Sequence, residues 1–302
     1  MSAATDVRSP SGPSLLLTKP SGPRAVRNVL ATVLVTIAFV IALIPLLWIL
    51  YTVLSRGVGL LMDASWWSQS QRGITTRREG GGAYHAILGT LMQAGVTAAI
   101  SVPIGILTAI YLVEYGRGRL KRVVSFMVDI LTGVPSIVAG LFIYAVWVTT
   151  LGFQRVAFAV SLALVLLMVP TIVRSTEEML KLVPNELREA SYALGVPKWK
   201  TIASIVLPTA LSGIVTGIML GLARVMGETA PLLILGPYNS SIATDLFNGN
   251  MATLPTMINV NRSDLGLPAA YERVWAAALT LILLVLLLNV AARVIARFSK
   301  IS

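Results

Sequence analysis

The sequence contains no cysteine, a single histidine and few charges. Without cysteine there is no disulfide scaffold, no thiolate zinc site and no thiol nucleophile. One histidine, His85, excludes a histidine-built metal site and argues against a histidine-based catalytic triad. Charged residues make up 12% of the chain, against about 25% in an ordinary soluble domain. Apolar residues make up 56%, and the mean hydropathy is +0.80. A surface facing water on all sides needs more charge than this, so a soluble globular enzyme is excluded.

What the chain has instead is six long apolar runs: Asn28 to Leu54, Ala86 to Val113, Val123 to Thr149, Val156 to Val173, Pro208 to Gly236, and Val274 to Ala292. A helix needs about 20 apolar residues to cross a hydrocarbon core of roughly 30 Å. Hydrocarbon offers backbone groups no outside partner, so each run is predicted to be a helix. The first run is too long for a secretory signal and lacks a small-residue cleavage site, so it reads as an uncleaved anchor. The predicted fold is all-α, a polytopic membrane protein with six transmembrane helices.

The 24 Lys and Arg outnumber the 13 Asp and Glu, and their placement explains the excess. Sixteen fall on one side of the predicted spans: in the N-terminal tail, in Arg117 to Arg122, in Arg174 to Lys200, and in the C-terminal tail. Seven fall on the other side, and Arg224 lies within a span. The positive-inside bias places both termini in the cytoplasm and makes the basic excess a topology signal; no nucleic-acid partner is expected. Residues 1–27, rich in Ser, Pro and Gly, read as a disordered cytoplasmic tail. Residues 28–79 hold the first helix and an external loop, and 80–302 hold the other five helices. No internal repeat is evident. The external segment 237–272 has room for a short helix around TLPTMINV; a partner-docking loop and a plain connector both fit it.

The loop 174–208 between the fourth and fifth spans is patterned. Ser175-x-x-Glu178 has capping-box spacing, so a helix extends or restarts there. Asn185 to Leu194 is helical in pattern, with Leu187, Ser191 and Leu194 towards one side. Gly195 occupies the place of a left-handed helix end, and Pro197 blocks continuation. A second short helix, Lys198 to Val206, then leads into Pro208.

Glu189-Ala190-Ser191, Gly195 and Ile205-x-Leu207-Pro208 resemble the EAA---G---------I-LP signature of ABC importer permeases. Ser191 stands where a second alanine is usual, a small-for-small change expected to leave packing unaltered. The resemblance implies the type I ABC importer permease fold. It also implies that Glu189, Ala190, Ser191, Gly195, Leu207 and Pro208 couple the chain to a cytoplasmic ATPase. No G-x-x-x-x-G-K-[ST] loop is present. ATP and Mg would therefore be used by a separate subunit, with no cofactor bound here and no enzyme activity of the chain itself.

Further segments are similar to the PstA family of phosphate importer permeases over about residues 80 to 296. They are His85 to Thr90, Pro103-Ile-Gly105, Ala109 to Tyr115, Gly133 to Gly140, and Arg224 to Leu233. That resemblance implies a bacterial cytoplasmic membrane subunit embedded in membrane lipid. Its implied partners are a PstC-like second permease, two PstB-like ATPases and an external PstS-like phosphate-binding protein. The same machine for another oxyanion, such as sulfate, molybdate or phosphonate, is the alternative. An intramembrane enzyme is disfavoured by the absence of G-x-S-G and H-E-x-x-H, and a self-powered transporter by the coupling signature.

An intramembrane charge costs about 2.5–3.5 kcal/mol on insertion scales. Arg224 lies about 24 Å along a helix counted from Pro208, with Glu228 four residues on. Gly213, Gly217 and Gly221 share that spacing, and on one continuous helix all five fall within an arc of about 80°. Two readings compete. In one, the glycines serve helix packing and the ion pair holds a subunit interface. In the other, the stripe lines a substrate pathway formed by Arg224, Glu228 and Thr229, with Arg224 a waypoint for the anion. Asp129 is expected to snorkel or to bond a neighbouring helix, and His85 to sit at the outer membrane edge. No residue set suggests a metal site.

Overall fold

Residues 22–298 are described by the computed structural model of the protein. The predicted tail lies outside the described residues as far as position 21. From Pro23 onward the chain is already helical, so the tail expectation fails for residues 23–27. Helix α1 (Pro23–Leu61) has 39 residues, about 58 Å at 1.5 Å per residue. The chain divides into two units within α1, between Tyr51 and Thr52.

In the first unit, every side chain from Val29 to Leu50 except Leu43 is exposed. Thr32 and Thr36 donate their hydroxyls to carbonyls four residues earlier. These two hydroxyls are therefore not presented to lipid unpaired.

In the second unit, a short helix α2 (Ala64–Ser68) precedes α3 (Tyr84–Ile110), which continues as a π-helical turn, Tyr111–Tyr115. Next come α4 (Gly118–Gly133) and α5 (Ser136–Ile143), the latter extended by a π-helical stretch, Tyr144–Thr150. Helix α6 (Ala157–Lys181) leads to α7 (Asn185–Ala193) and α8 (Lys198–Thr201). Helix α8 runs through a π-helical segment, Ile202–Val206, into α9 (Leu207–Met226). The chain ends with α10 (Ala230–Leu235), α11 (Leu254–Arg262) and α12 (Pro268–Phe298).

Among the described residues, five helices are long and apolar enough to cross a membrane. The predicted third span is not straight. It is the pair α4 and α5, bent by 107°. Proline bars its predecessor from the helical region, and both Val134 and Pro135 take extended backbone angles. Two extended residues between two helices make the elbow. Six crossings result only if this pair counts as one.

Helix α6 is the axis of the unit, packed by α3, α4, α5 and α9. Ala159, Ala163, Met168 and Ile172 are fully enclosed on it. Lipid tails are as apolar as these side chains, so close packing rather than water exclusion holds such helices together. Ser175 sits inside α6, bonded to the Ile172 carbonyl at 3.2 Å. The helix therefore extends through the predicted capping box and does not restart.

A second core forms around Trp66, with Ala86, Leu254, Met257 and Ala276. Here the predicted TLPTMINV helix appears as α11, capped reciprocally by Thr253 and Thr256. Arg273, only 3% exposed, donates to the carbonyls of Thr75, Arg78 and Gly80 and so ties down the preceding loop. His85 is enclosed by protein and lies 2.9 Å from the Tyr238 hydroxyl, which donates to Gln71.

Candidate functional site

The patterned loop forms a helix, a tight turn and a second helix. Helix α7 ends at Ala193, and the Gly195 amide donates to the Tyr192 carbonyl at 2.9 Å. Gly195 has φ +74°, a conformation that costs an L-residue with a side chain roughly 1–2 kcal/mol. The Val196 amide then donates to the Ser191 carbonyl, closing the turn. Leu194 is not on the inner side with Ser191 as its spacing suggested. It lies past the helix end and is 83% exposed.

Ser191 does more than stand in for alanine. It is buried, and its hydroxyl lies 2.8 Å from the equally buried Thr201 hydroxyl. That hydrogen bond ties α7 to α8. Pro208, at the second position of α9, has no N–H for the preceding turn and crowds its carbonyls. The π-helical segment immediately before it, Ile202–Val206, accommodates the misfit within one continuous helix.

Arg188 is the main fastener of this loop, and the sequence pattern did not single it out. It pairs with Glu114 at 3.0 Å, and the two side chains are 12% and 6% exposed. It also donates to the carbonyls of Val183 (2.6 Å) and Leu180 (2.9 Å) at the end of α6, the second of which also accepts the Val183 N–H. Lys198 donates to the Glu114 carbonyl, and its ammonium lies 4.9 Å from the Tyr115 ring centroid. Loop, α3 and α6 are thus joined at one point. The available sequence signal was Glu114, the charge that ends an otherwise uncharged run. Facing away from this anchor, Glu189 and Ala190 are exposed beside Leu187, Tyr192, Leu194 and Trp199. The tip is a small apolar surface with an acidic edge.

The five-residue stripe is not continuous. Helix α9 stops at Met226, Gly227 caps it, and Thr229 precedes α10. Glu228 therefore lies off the helix. Gly213 and Gly217 face α6: a Cβ on Gly213 would meet Met179 Sδ at 2.1 Å, and one on Gly217 would meet Ser175 Oγ at 2.2 Å. Gly221 also faces α6, with ordinary contact distances to Met168 and Thr171. The glycines allow close packing within the chain.

Arg224 and Glu228 are a 3.8 Å ion pair, too long for a hydrogen bond. Arg224 is half exposed, on the same face of α9 as Ser212, Thr216 and Leu220, whereas Glu228 is 17% exposed and turned inward. Glu228 borders a cavity of about 10 Å³ with Thr90, Gln93 and Thr253. Gln93 is buried there, and its Oε1 has no hydrogen-bond partner among the described residues. Asp129 pairs with Arg174 of α6, which also pairs with Glu177 at 2.6 Å. It bonds a neighbouring helix and stands apart from Arg224. No group of three or more His, Cys, Asp or Glu among the described residues is arranged to hold a metal.

Residues 101–300 match the family described as binding-protein-dependent transport system inner membrane component. The phosphate transport system permease protein PstA 1 of Mycobacterium tuberculosis is 57% identical over 274 residues, covering 90% of this chain and 89% of that protein. The PstA of Pasteurella multocida is 39% identical, covering 90% and 95%. A bacterial alginate ABC transporter in complex with an alginate pentasaccharide-bound periplasmic protein shares the fold at TM-score 0.63 and 15% identity, covering 91% and 96%. The inward-facing MetNI methionine ABC transporter does so at TM-score 0.56 and 22% identity, covering 72% and 94%. On its family match, its relatives and its helical architecture, the chain belongs to the binding-protein-dependent transport system inner membrane component family, and its relatives there are the PstA permeases.

Proposed function

We propose that this chain is the membrane-spanning permease subunit of an ATP-driven importer that moves inorganic phosphate across the bacterial cytoplasmic membrane. The observation that carries this reading is the coupling loop: an exposed apolar tip on a glycine turn, fastened through Arg188 to the ends of α3 and α6. Such a part transmits displacement. A push on Leu194 or Trp199 moves α7, the Ser191–Thr201 bond carries it to α8 and α9, and the Arg188–Glu114 pair carries it to α3. The chain is a transport subunit and not itself an enzyme; ATP and Mg belong to the ATPases that seat on this tip.

The finer assembly follows the PstA relatives. One PstC-like permease completes the bundle, two PstB-like ATPases dock on the coupling loops, and a PstS-like protein delivers phosphate from outside. Both chain termini then lie in the cytoplasm. Arg224 offers the anion a cationic stop in the outer part of the bundle. Its pairing with Glu228 is long enough to be exchanged for a phosphate oxygen without breaking a hydrogen bond. Glu228, turned towards Gln93 and Thr90, has hydrogen-bonding groups nearby when that exchange occurs.

The test is ATPase activity and anion uptake by the reconstituted four-component complex. Phosphate stimulates both in the expected outcome, and sulfate, molybdate and phosphonate do not. Stimulation by another oxyanion alone would transfer the reading to that substrate. Arg224→Gln and Glu228→Gln in assembled complexes are expected to slow uptake, and wild-type rates in both would remove them from the pathway.

A further inference from the structure

The elbow between α4 and α5 encloses a cavity that the transport reading does not use. Its volume is about 300 Å³. Leu131, Val134, Val138 and Phe142 line it from the elbow, and Leu166 and Leu167 from α6; every residue on its wall is apolar. Water has no partner in such a space, and genuinely apolar cavities stay dry. At roughly 30 Å³ per water-sized group it has room for about ten such groups, and it opens outward past the exposed Val138 and Phe142, which suits the greater part of one acyl chain.

A cationic cluster stands at the other end of the same helix. Arg117, Arg119, Lys121 and Arg122 are all exposed, and none forms an ion pair among the described residues. At about 100° per residue, Lys121 lies some 80° around the helix from Leu131, whereas Arg122 is opposite; Arg117 is the extended residue just before the helix. Lys121 is ten residues, about 15 Å, along the axis from Leu131. The depth agrees along the neighbouring helix. Leu167 lies seven residues, about 11 Å, along α6 from Arg174, and Arg174 is held level with α4 by its bonds to Ser125 and Asp129. A cationic pair and a dry apolar slot are thus separated by the length that separates a phospholipid phosphate from the middle of its acyl chain.

We infer that the elbow is a binding site for one anionic phospholipid of the leaflet on the coupling-loop side. Arg117 and Lys121 hold its phosphate, and one acyl chain fills the cavity beneath Val138. Charge complementarity selects the occupant: a helix of another protein would leave these cations without counter-charge, and a zwitterionic lipid would offset them less. The site lies on α4, the helix whose Asp129 holds Arg174 about two turns before the end of α6. An occupied elbow therefore braces the floor on which the loop stands.

The experiment is native mass spectrometry of the complete importer complex, stripped in mild detergent and titrated with dioleoyl phosphatidylglycerol or dioleoyl phosphatidylcholine. One saturable phosphatidylglycerol per copy of this chain is expected, with phosphatidylcholine at least tenfold weaker. Removing each cation costs roughly fivefold, so Arg117→Gln with Lys121→Gln weakens phosphatidylglycerol about 25-fold and leaves phosphatidylcholine unchanged. Val138→Trp, at a half-exposed position, fills the slot and abolishes saturable binding; Leu131→Phe fills it from α4 and does the same. Equal binding of the two lipids, or wild-type phosphatidylglycerol binding by both filled variants, overturns the inference. So does loss of the second permease subunit from either filled variant, because the elbow would then be a protein contact.

Discussion

Replacing Arg188 by methionine removes the fastener of the coupling loop while keeping most of its apolar stem. Glu114, 6% exposed, then loses the ion-pair partner it has among the described residues. Leaving one member of a buried pair uncompensated costs about 3–5 kcal/mol. The Val183 carbonyl loses its Arg188 donor and the Leu180 carbonyl keeps only a backbone N–H, at about 1 kcal/mol for each lost hydrogen bond. Because 1.4 kcal/mol is a factor of about ten, even the lower figure reduces the docked population of the loop by more than a hundredfold. Phosphate uptake per ATP hydrolysed by the reconstituted complex is expected to fall steeply, while the ATPases keep hydrolysing. The double variant Arg188→Met, Glu114→Gln removes the stranded charge but does not restore the two lost hydrogen bonds. It should recover the larger part of the loss and remain about 2 kcal/mol less stable than wild type in thermal unfolding. Unchanged coupling and melting in the single variant would refute the argument. A double variant worse than the single would show that the cost does not arise from the Glu114 charge.

Three further outcomes follow from particular geometries. Gly195→Ala meets no atom within 4 Å, so its whole cost is the left-handed backbone, about 1–2 kcal/mol. Gly195→Asn should retain more coupled uptake than Gly195→Ala, and equal uptake by the two would contradict the turn assignment. Gly217→Ala drives a Cβ to 2.2 Å from Ser175 Oγ and should cost about 1–3 kcal/mol in complex stability by overpacking; adding Ser175→Gly should restore much of it, and failure to do so would place the strain elsewhere. The Asp245 carboxyl is held below its ordinary value by the Asn248 side-chain amide and the Phe247 N–H. A depressed carboxylate stabilises its loop above the unfolded value, and that support is lost as pH falls through the folded one. Amide exchange at Phe247 and Asn248 should therefore quicken in acid beyond the intrinsic trend, and Asp245→Asn should remove the excess.

Much was legible in the linear chain because its signals are local. Apolar runs of membrane length marked five straight crossing helices, since hydrocarbon forbids any other local structure. Gly195 and Pro197 marked the coupling turn through backbone sterics that involve only their neighbours, and Thr253 with Thr256 marked the start of α11 in the same way. The glycine turn after α7 depends on short-range spacing and forms where that spacing puts it.

What the sequence could not settle were relations between distant segments. The run from Val123 to Thr149 reads as one span, and whether it stays straight or turns through 107° at Val134 and Pro135 depends on how α5 packs against α6 and α10. The stripe from Gly213 to Glu228 was computed on an unbroken helix. Only the packed structure shows α9 ending at Met226, so that the glycines meet α6 while Arg224 and Glu228 point different ways. Arg188 looked like one surface charge among several, and its partner Glu114 lies 74 residues away. Periodicity reports which face of one helix is apolar. Which neighbour that face meets, and which charges become each other's counter-ions, is decided when the helices come together.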